Sequence, residues 1–136
     1  SELNGGFNVV NSDEIIICNT LIKEHLSSKN VKKSLFVNSN INCTIGTIEF
    51  SKMNFYQSEF EIEELSVKNI ANVSFYSCVG LVDIMNISNG SRVYIDKSEF
   101  RESTMSVEKI SSAILPEKLR DIIDIETDDK SNIIFY

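Results

Sequence analysis

A chain of 136 residues with 42% hydrophobic and 24% charged residues suits one domain with a real core, yet is small for an enzyme with a deep cleft. The net charge of −7 and pI near 4.7 speak against a nucleic-acid backbone or an anionic membrane as partner and suit a basic partner, or nothing in particular. There is no apolar run of membrane-spanning length and no signal peptide, and a start at Ser1 rather than Met indicates processing or a fragment.

Residues 1–30 have a texture of their own. After the Gly5-Gly6 breaker, Asn11 with Glu14 three residues on makes a capping box. Cys18, Leu21, Ile22 and Leu26 then recur at helical spacing, with His25 on the same stripe, which predicts a helix over 12–27. The β-branched run Ile15-Ile16-Ile17 equally suits a strand.

Residues 31–115 fall into a 20-residue register without insertion or deletion. Stacked at that period, the fifth column reads Leu35, Phe55, Phe75, Ile95 and Leu115. The fifteenth reads Ile45, Leu65, Met85, Met105; the seventeenth Thr47, Val67, Ile87, Val107; the twentieth Phe50, Ile70, Gly90, Ile110. A fixed period of this length predicts a solenoid whose repeats bury their apolar faces against their neighbours.

Within each repeat the period is 2. Met53/Phe55, Ser58/Phe60 and Leu65/Val67, with their counterparts 20 and 40 residues on, would face inward from three short strands per coil. Asn69, Asn72, Asn86, Asn89 and Gly90 mark the bends, where left-handed backbone is needed. Gly80 stands in the same column as Phe60 and Phe100, so both rings can lie over the gap it leaves.

Residues 116–136 read as a cap. Pro116 suits a first helical position, and Leu119, Ile122 and Ile123 predict a helix to about Ile125. A Thr127–Asp129 turn and a final strand over 131–136 follow. The fold expected is an all-β right-handed parallel β-helix of about four 20-residue coils, with α-helical caps at both ends. An α+β domain with an antiparallel sheet is the alternative.

The 20-residue coil, with Ser-Glu-Phe at 58–60 and again at 98–100, resembles pentapeptide-repeat and other right-handed β-helix proteins. Columns five, ten, fifteen and twenty would supply the large residue of each five-residue face, and Ser58, Cys78 and Ser98 a small one. Glu63, Asp83, Lys68 and Glu108 depart from the family pattern, as do Met53, Val73 and Val93. The resemblance implies binding roles: nucleic-acid mimicry against topoisomerases, or recognition domains of secreted bacterial effectors.

Residues that could carry chemistry are few. His25 is the only histidine, and the sequence offers no nucleophile–histidine arrangement, no metal-ligand spacing, no phosphate loop and no cofactor signature. Cys18, Cys43 and Cys78 read as three buried thiols in a reducing compartment, and N-x-S/T sites occur at Asn42, Asn72, Asn86 and Asn89. Glu59 and Glu99 share a column at ~10 Å, marginal for the ~5 to 9.5 Å of a glycosidase pair, and with few coils and no long loops to wall a groove they read as a solvated acidic flank. Lys32, Lys52 and Arg92 form a sparse basic ladder.

The most unusual surface is aromatic. If columns three and five face in, column six faces out with Phe36, Tyr56 and Tyr76, and Tyr94 stands beside it. Such a strip is either a partner site, a bare stacking ladder, or a surface covered by the terminal strand through Phe135 and Tyr136. The expectation is a non-enzymatic protein-interaction module, either an effector recognition domain, an immunity-type inhibitor or an adaptor. It would act in the cytoplasm or as an effector in a host cytoplasm, binding through Phe36, Tyr56, Tyr76, Tyr94, Glu59 and Glu99. A carbohydrate-active β-helix, an acidic nucleic-acid mimic and a homodimer formed through an exposed edge or the strip are the alternatives.

Overall fold

The structure, a computed structural model, describes residues 2–136, and almost all of its regular structure is β. The strands are β1 (Glu2–Leu3), β2 (Phe7–Cys18), β3 (Leu21–Val37), β4 (Asn40–Glu49), β5 (Lys52–Tyr56), β6 (Glu59–Lys68) and β7 (Asn72–Tyr76). They continue as β8 (Val79–Ser88), β9 (Arg92–Asp96), β10 (Glu99–Phe100), β11 (Ser103–Val107), β12 (Ser112–Leu115), β13 (Ile123–Thr127) and β14 (Asn132–Phe135). Every ladder between them is parallel, and together they wind a β-solenoid of about seven turns. At ~4.8 Å per turn the rod is roughly 30 Å long.

Each turn has three faces. β5, β7, β9, β12 and β14, with the ends of β2 and β3, stack as the first face. The longer strands β4, β6 and β8 bend in the middle, so their first halves build the second face and their second halves the third. The inner column of the first face holds Phe36, Phe55 and Phe75, stacked at 5.0 and 5.1 Å, the spacing of neighbouring strands. All three rings are buried, as are Leu65, Val67, Met85 and Ile87 on the third face.

Small hydroxyls close the corners. Where the first face turns into the second, Asn19, Asn38, Gln57, Ser77 and Lys97 take positive φ, each followed by an inward Thr20, Ser39, Ser58, Cys78 or Ser98. The Ser39 Oγ accepts from the Thr20 N–H, the Ser58 Oγ from Ser39, and the Ser98 Oγ from Cys78, at 2.9 to 3.2 Å. Ser91, Ser111 and Ser131 do the same at the corner between the third and first faces. A bend leaves a strand N–H without a ladder partner, and a side-chain oxygen one turn on fills it.

The structure corrects several expectations. The helix predicted over 12–27 is strand: β2 and β3 run through it, and the alternation of Ile15, Ile17, Ile22 and Leu26 serves a strand face as readily as a helical stripe. The helix predicted over 116–125 shrinks to a 3-10 turn at Glu117–Leu119 followed by β13, so no α-helix caps either end among the described residues. The coil count rises from four to about seven because residues outside 31–115 join the same stack. The division into 1–30, 31–115 and 116–136 therefore cuts across one continuous solenoid.

The register also breaks. Phe7 pairs with Leu26 and Ser34 with Met53, a step of 19, whereas Lys52 pairs with Asn72, a step of 20. Row 31–50 thus sits one residue out. Phe36 takes the inward place assigned to Leu35, and Gly46 and Ile48 take those assigned to Ile45 and Thr47. Column twenty faces out: Ile70 and Ile110 are 68% and 69% exposed at a left-handed corner. Asn69, Asn89 and Gly90 do stand at that corner, while Asn72 and Asn86 lie within strands. Phe60 and Phe100 close over Gly80 with ring centroids 5.0 Å apart, as the column predicts.

Candidate functional site

The strip expected on the outer surface of the first face is present with altered membership. Phe36 leaves it for the core. Tyr56 and Tyr76 stack at 4.7 Å with planes 13° apart, and Tyr76 meets Tyr94 at 5.8 Å. Asp96 follows Tyr76 in the column, and Tyr94 leans across from the middle of its strand to continue the ladder.

Tyr136 ends the strip. Its ring lies parallel to Tyr94 at 6.1 Å, and its hydroxyl donates to the Ile95 carbonyl at 2.6 Å and the Asp96 carboxylate at 3.1 Å. Burial, then Tyr94 and Asp96, push this phenol up. β14 does not fold over the strip; it pairs with β12 as the last rung, and Phe135 points inward to take the Arg120 guanidinium at 4.0 Å over its ring. Tyr136 falls in column six of the 20-residue register, so extending that register past 115 finds it.

Tyr56 and Tyr76 each turn one face to the other, whereas Tyr76 and Tyr94 meet at 46° and Tyr94 and Tyr136 lie parallel but 6.1 Å apart, so close face-to-face stacking is confined to the first pair. The edge of an aromatic ring is the positive side of its quadrupole.

The acidic flank lies round the corner on the second face. Glu59 and Glu99 each pair with Val79 between them, two rungs apart, and stay exposed. With Glu61 they rim a shallow groove of about 640 Å³ floored by Phe60, Gly80 and Phe100, with Lys118 on its far side. The carboxylates Glu59 and Glu99 are thus interrupted by an apolar rung and do not form a continuous acidic row.

His25 lies half-buried in β3 beside Gly6, and among the described residues no cluster of three or more His, Cys, Asp or Glu could hold a metal. All three cysteines are free. Cys43 and Cys78 are buried as expected, but Cys18 is exposed, because it alternates outward after Ile17 into the column of Val37 and Tyr56. Burial pushes the Cys43 thiol up to about 11 and raises Cys78 as well. No helix is long and apolar enough to cross a membrane among the described residues.

No family model matches this chain, and no curated protein or solved structure matches it either. The resemblance to pentapeptide repeats is thus not carried by a family match, and the three-faced turn differs from the four five-residue faces of that family.

Proposed function

We propose that this solenoid is a non-enzymatic protein-interaction module that holds its partner on the outer surface of the first face. The observation that supports it is the ladder Tyr56–Tyr76–Tyr94–Tyr136, left uncovered on a flat sheet. Tyr supplies large contact area at low conformational cost, and stacking fixes the rings before a partner arrives. Glu59 and Glu99 would meet a partner that wraps the corner.

The rival readings have less support. A sugar-binding platform uses free ring faces, and the Tyr56–Tyr76 stack takes one face of each of those two rings. A nucleic-acid mimic needs unbroken carboxylate rows, which Val79 interrupts. Three unpaired thiols suit a reducing compartment, such as the cytoplasm or the host cytoplasm reached by an effector. We read the winding as right-handed, the sense taken by nearly all parallel crossovers.

The test is affinity capture with a photo-crosslinker at Ser74, between the tyrosines. A discrete partner should be captured by the native chain and lost from Tyr56→Ala/Tyr76→Ala. Capture unchanged by that double substitution would remove the strip from the function.

A further inference from the structure

The strip is one wall of a groove of about 680 Å³ on the first face, and its other residues identify what would lie in it. The opposite wall is cationic, with Lys33, Lys52 and Arg92. No carboxylate lines the groove, in a chain whose net charge is −7. The ion pairs among the described residues engage Lys23, Lys32, Lys68 and Arg120, not these three cations. Arg92 Nε donates to the Ser112 Oγ at 3.3 Å.

The floor holds a second signal. Asn54 is only 7% exposed as a residue; its carboxamide makes no hydrogen bond to any described residue, and its polar atoms still reach solvent. It lies between Leu35 and Ser74 in the ladder, beneath the gap between the cations and the tyrosines. Its amide is thus open to a ligand that supplies both a donor and an acceptor.

We propose that this groove binds an extended acidic segment of a protein partner. The inference rests on the interaction-module reading and adds the partner's chemistry. A main-chain amide of the segment sits against Asn54, matching donor to acceptor and acceptor to donor. Its carboxylates meet Lys33, Lys52 and Arg92 on one side and the positive ring edges and hydroxyls of Tyr56 and Tyr76 on the other. Five rungs, from Lys33 to Ile114, span ~19 Å, the length of about six extended residues. Single-stranded nucleic acid is disfavoured by the net charge of −7.

The probe is a fluorescein-labelled peptide of about ten residues alternating Glu and Ser, long enough to exceed the groove. Binding is followed by anisotropy and by ¹H–¹⁵N spectra that resolve the Asn54 side-chain amide. The expected result is a shift of that amide and of residues 52–56 and 72–76, weakening as salt is raised. Lys52→Glu/Arg92→Glu, both at exposed positions, should weaken binding about tenfold or more, and Asn54→Ala about fivefold.

A matched Lys–Ser peptide should leave the spectrum unchanged. An Asn54 amide unmoved by the acidic peptide, or affinity indifferent to charge reversal, overturns the proposal. So does an oligogalacturonate that produces the shifts when the peptide does not, which would assign the groove to anionic glycans. If the peptide fails while partner capture still depends on Tyr56 and Tyr76, the acidic chemistry falls and the interaction module stands.

Discussion

Two glycines face inward in this solenoid, and replacing each by alanine should have opposite consequences. A Cβ at Gly80 would come within 2.7 Å of the Phe60 ring Cδ2, 2.9 Å of its carbonyl carbon, and closer still to its carbonyl oxygen. Two of those atoms are backbone held in the β6–β8 ladder, so the rungs must part. Overpacking of this kind costs roughly 1–3 kcal/mol. Separating the Phe60–Phe100 pair removes roughly another 1 kcal/mol. Gly80→Ala should therefore destabilise by about 3 kcal/mol.

At Gly46 the only close atom is Leu65 Cδ1 at 2.8 Å, the tip of a flexible side chain, and the next lie at 3.8 Å. A rotation of Leu65 relieves it, while alanine lowers the entropy of the unfolded chain by about 0.4–1 kcal/mol. Gly46→Ala should fall within about 0.5 kcal/mol of the parent or be slightly more stable. Urea unfolding followed by circular dichroism measures both. Gly80 sits in the fifth rung, and a rung contacts only its neighbours, so Gly80→Ala should also broaden the transition as the last rungs loosen separately. Equal stabilities for the two variants would refute the assignment of Gly80 to a closed ring-over-gap contact.

Further outcomes follow from the same packing. Ser34 Oγ is buried without a partner in a column continued by Met53 and Val73, so Ser34→Ala should raise stability by about 1 kcal/mol, read from the urea midpoint. Ile70 holds φ near 59° and buries little, so Ile70→Asn should stabilise by about 1 kcal/mol; a loss above that would mean the exposed side chain packs on something. Cys43 titrates higher folded than unfolded, so the unfolded chain releases its proton first as pH rises. Stability held below pH 9 should decline between pH 9 and about 11, and Cys43→Ala should flatten that decline in unfolding curves. In native protein a thiol reagent should modify Cys18 rapidly and the other two only after denaturant is added.

The solenoid itself is legible because stacking forces identical environments onto residues one turn apart. Met53, Val73 and Val93 occupy one column in sequence and in space. What escapes a fixed period is any change in turn length. Leu35 and Phe36 are adjacent and both apolar, so a comb one residue out still lands on a hydrophobic side chain and sends the wrong one outward. The first turns fail for a related reason: their 17-residue strand β3 bends without Gly or Pro, and its apolar spacing satisfies a helix template locally. Only pairing with the next turn, which a local template cannot see, decides against it.

The proposed binding face is half legible. Tyr56, Tyr76 and Tyr94 announce themselves by alternation, whereas Asn54 is an ordinary polar residue at an outward position. Its shielding arises from the side chains of neighbouring turns. Lys33 is hidden by the same one-residue offset that misplaces Phe36; the sequence ladder starts at Lys32, which in the structure pairs with Asp13.

The corner between the third and first faces is one place where turn length is set. It carries one left-handed residue in the early turns, as at Asn30 or Phe50, and two in the later ones, as at Asn69–Ile70 and Lys109–Ile110. Glu49 is level with Lys68 before the corner and Lys52 with Asn72 after it, so the extra residue is absorbed there and the sheets on either side stay aligned. This apex works as an expansion joint. Excising Ile70 should leave a turn shaped like the one above it, whereas the same excision inside β6 or β7 would swap inner for outer side chains along the rest of that strand. The other register change, at Glu24/His25, also falls at a corner, between the second and third faces, so length variation in this scaffold gathers at the edges of the rod and leaves the flat of each face in register.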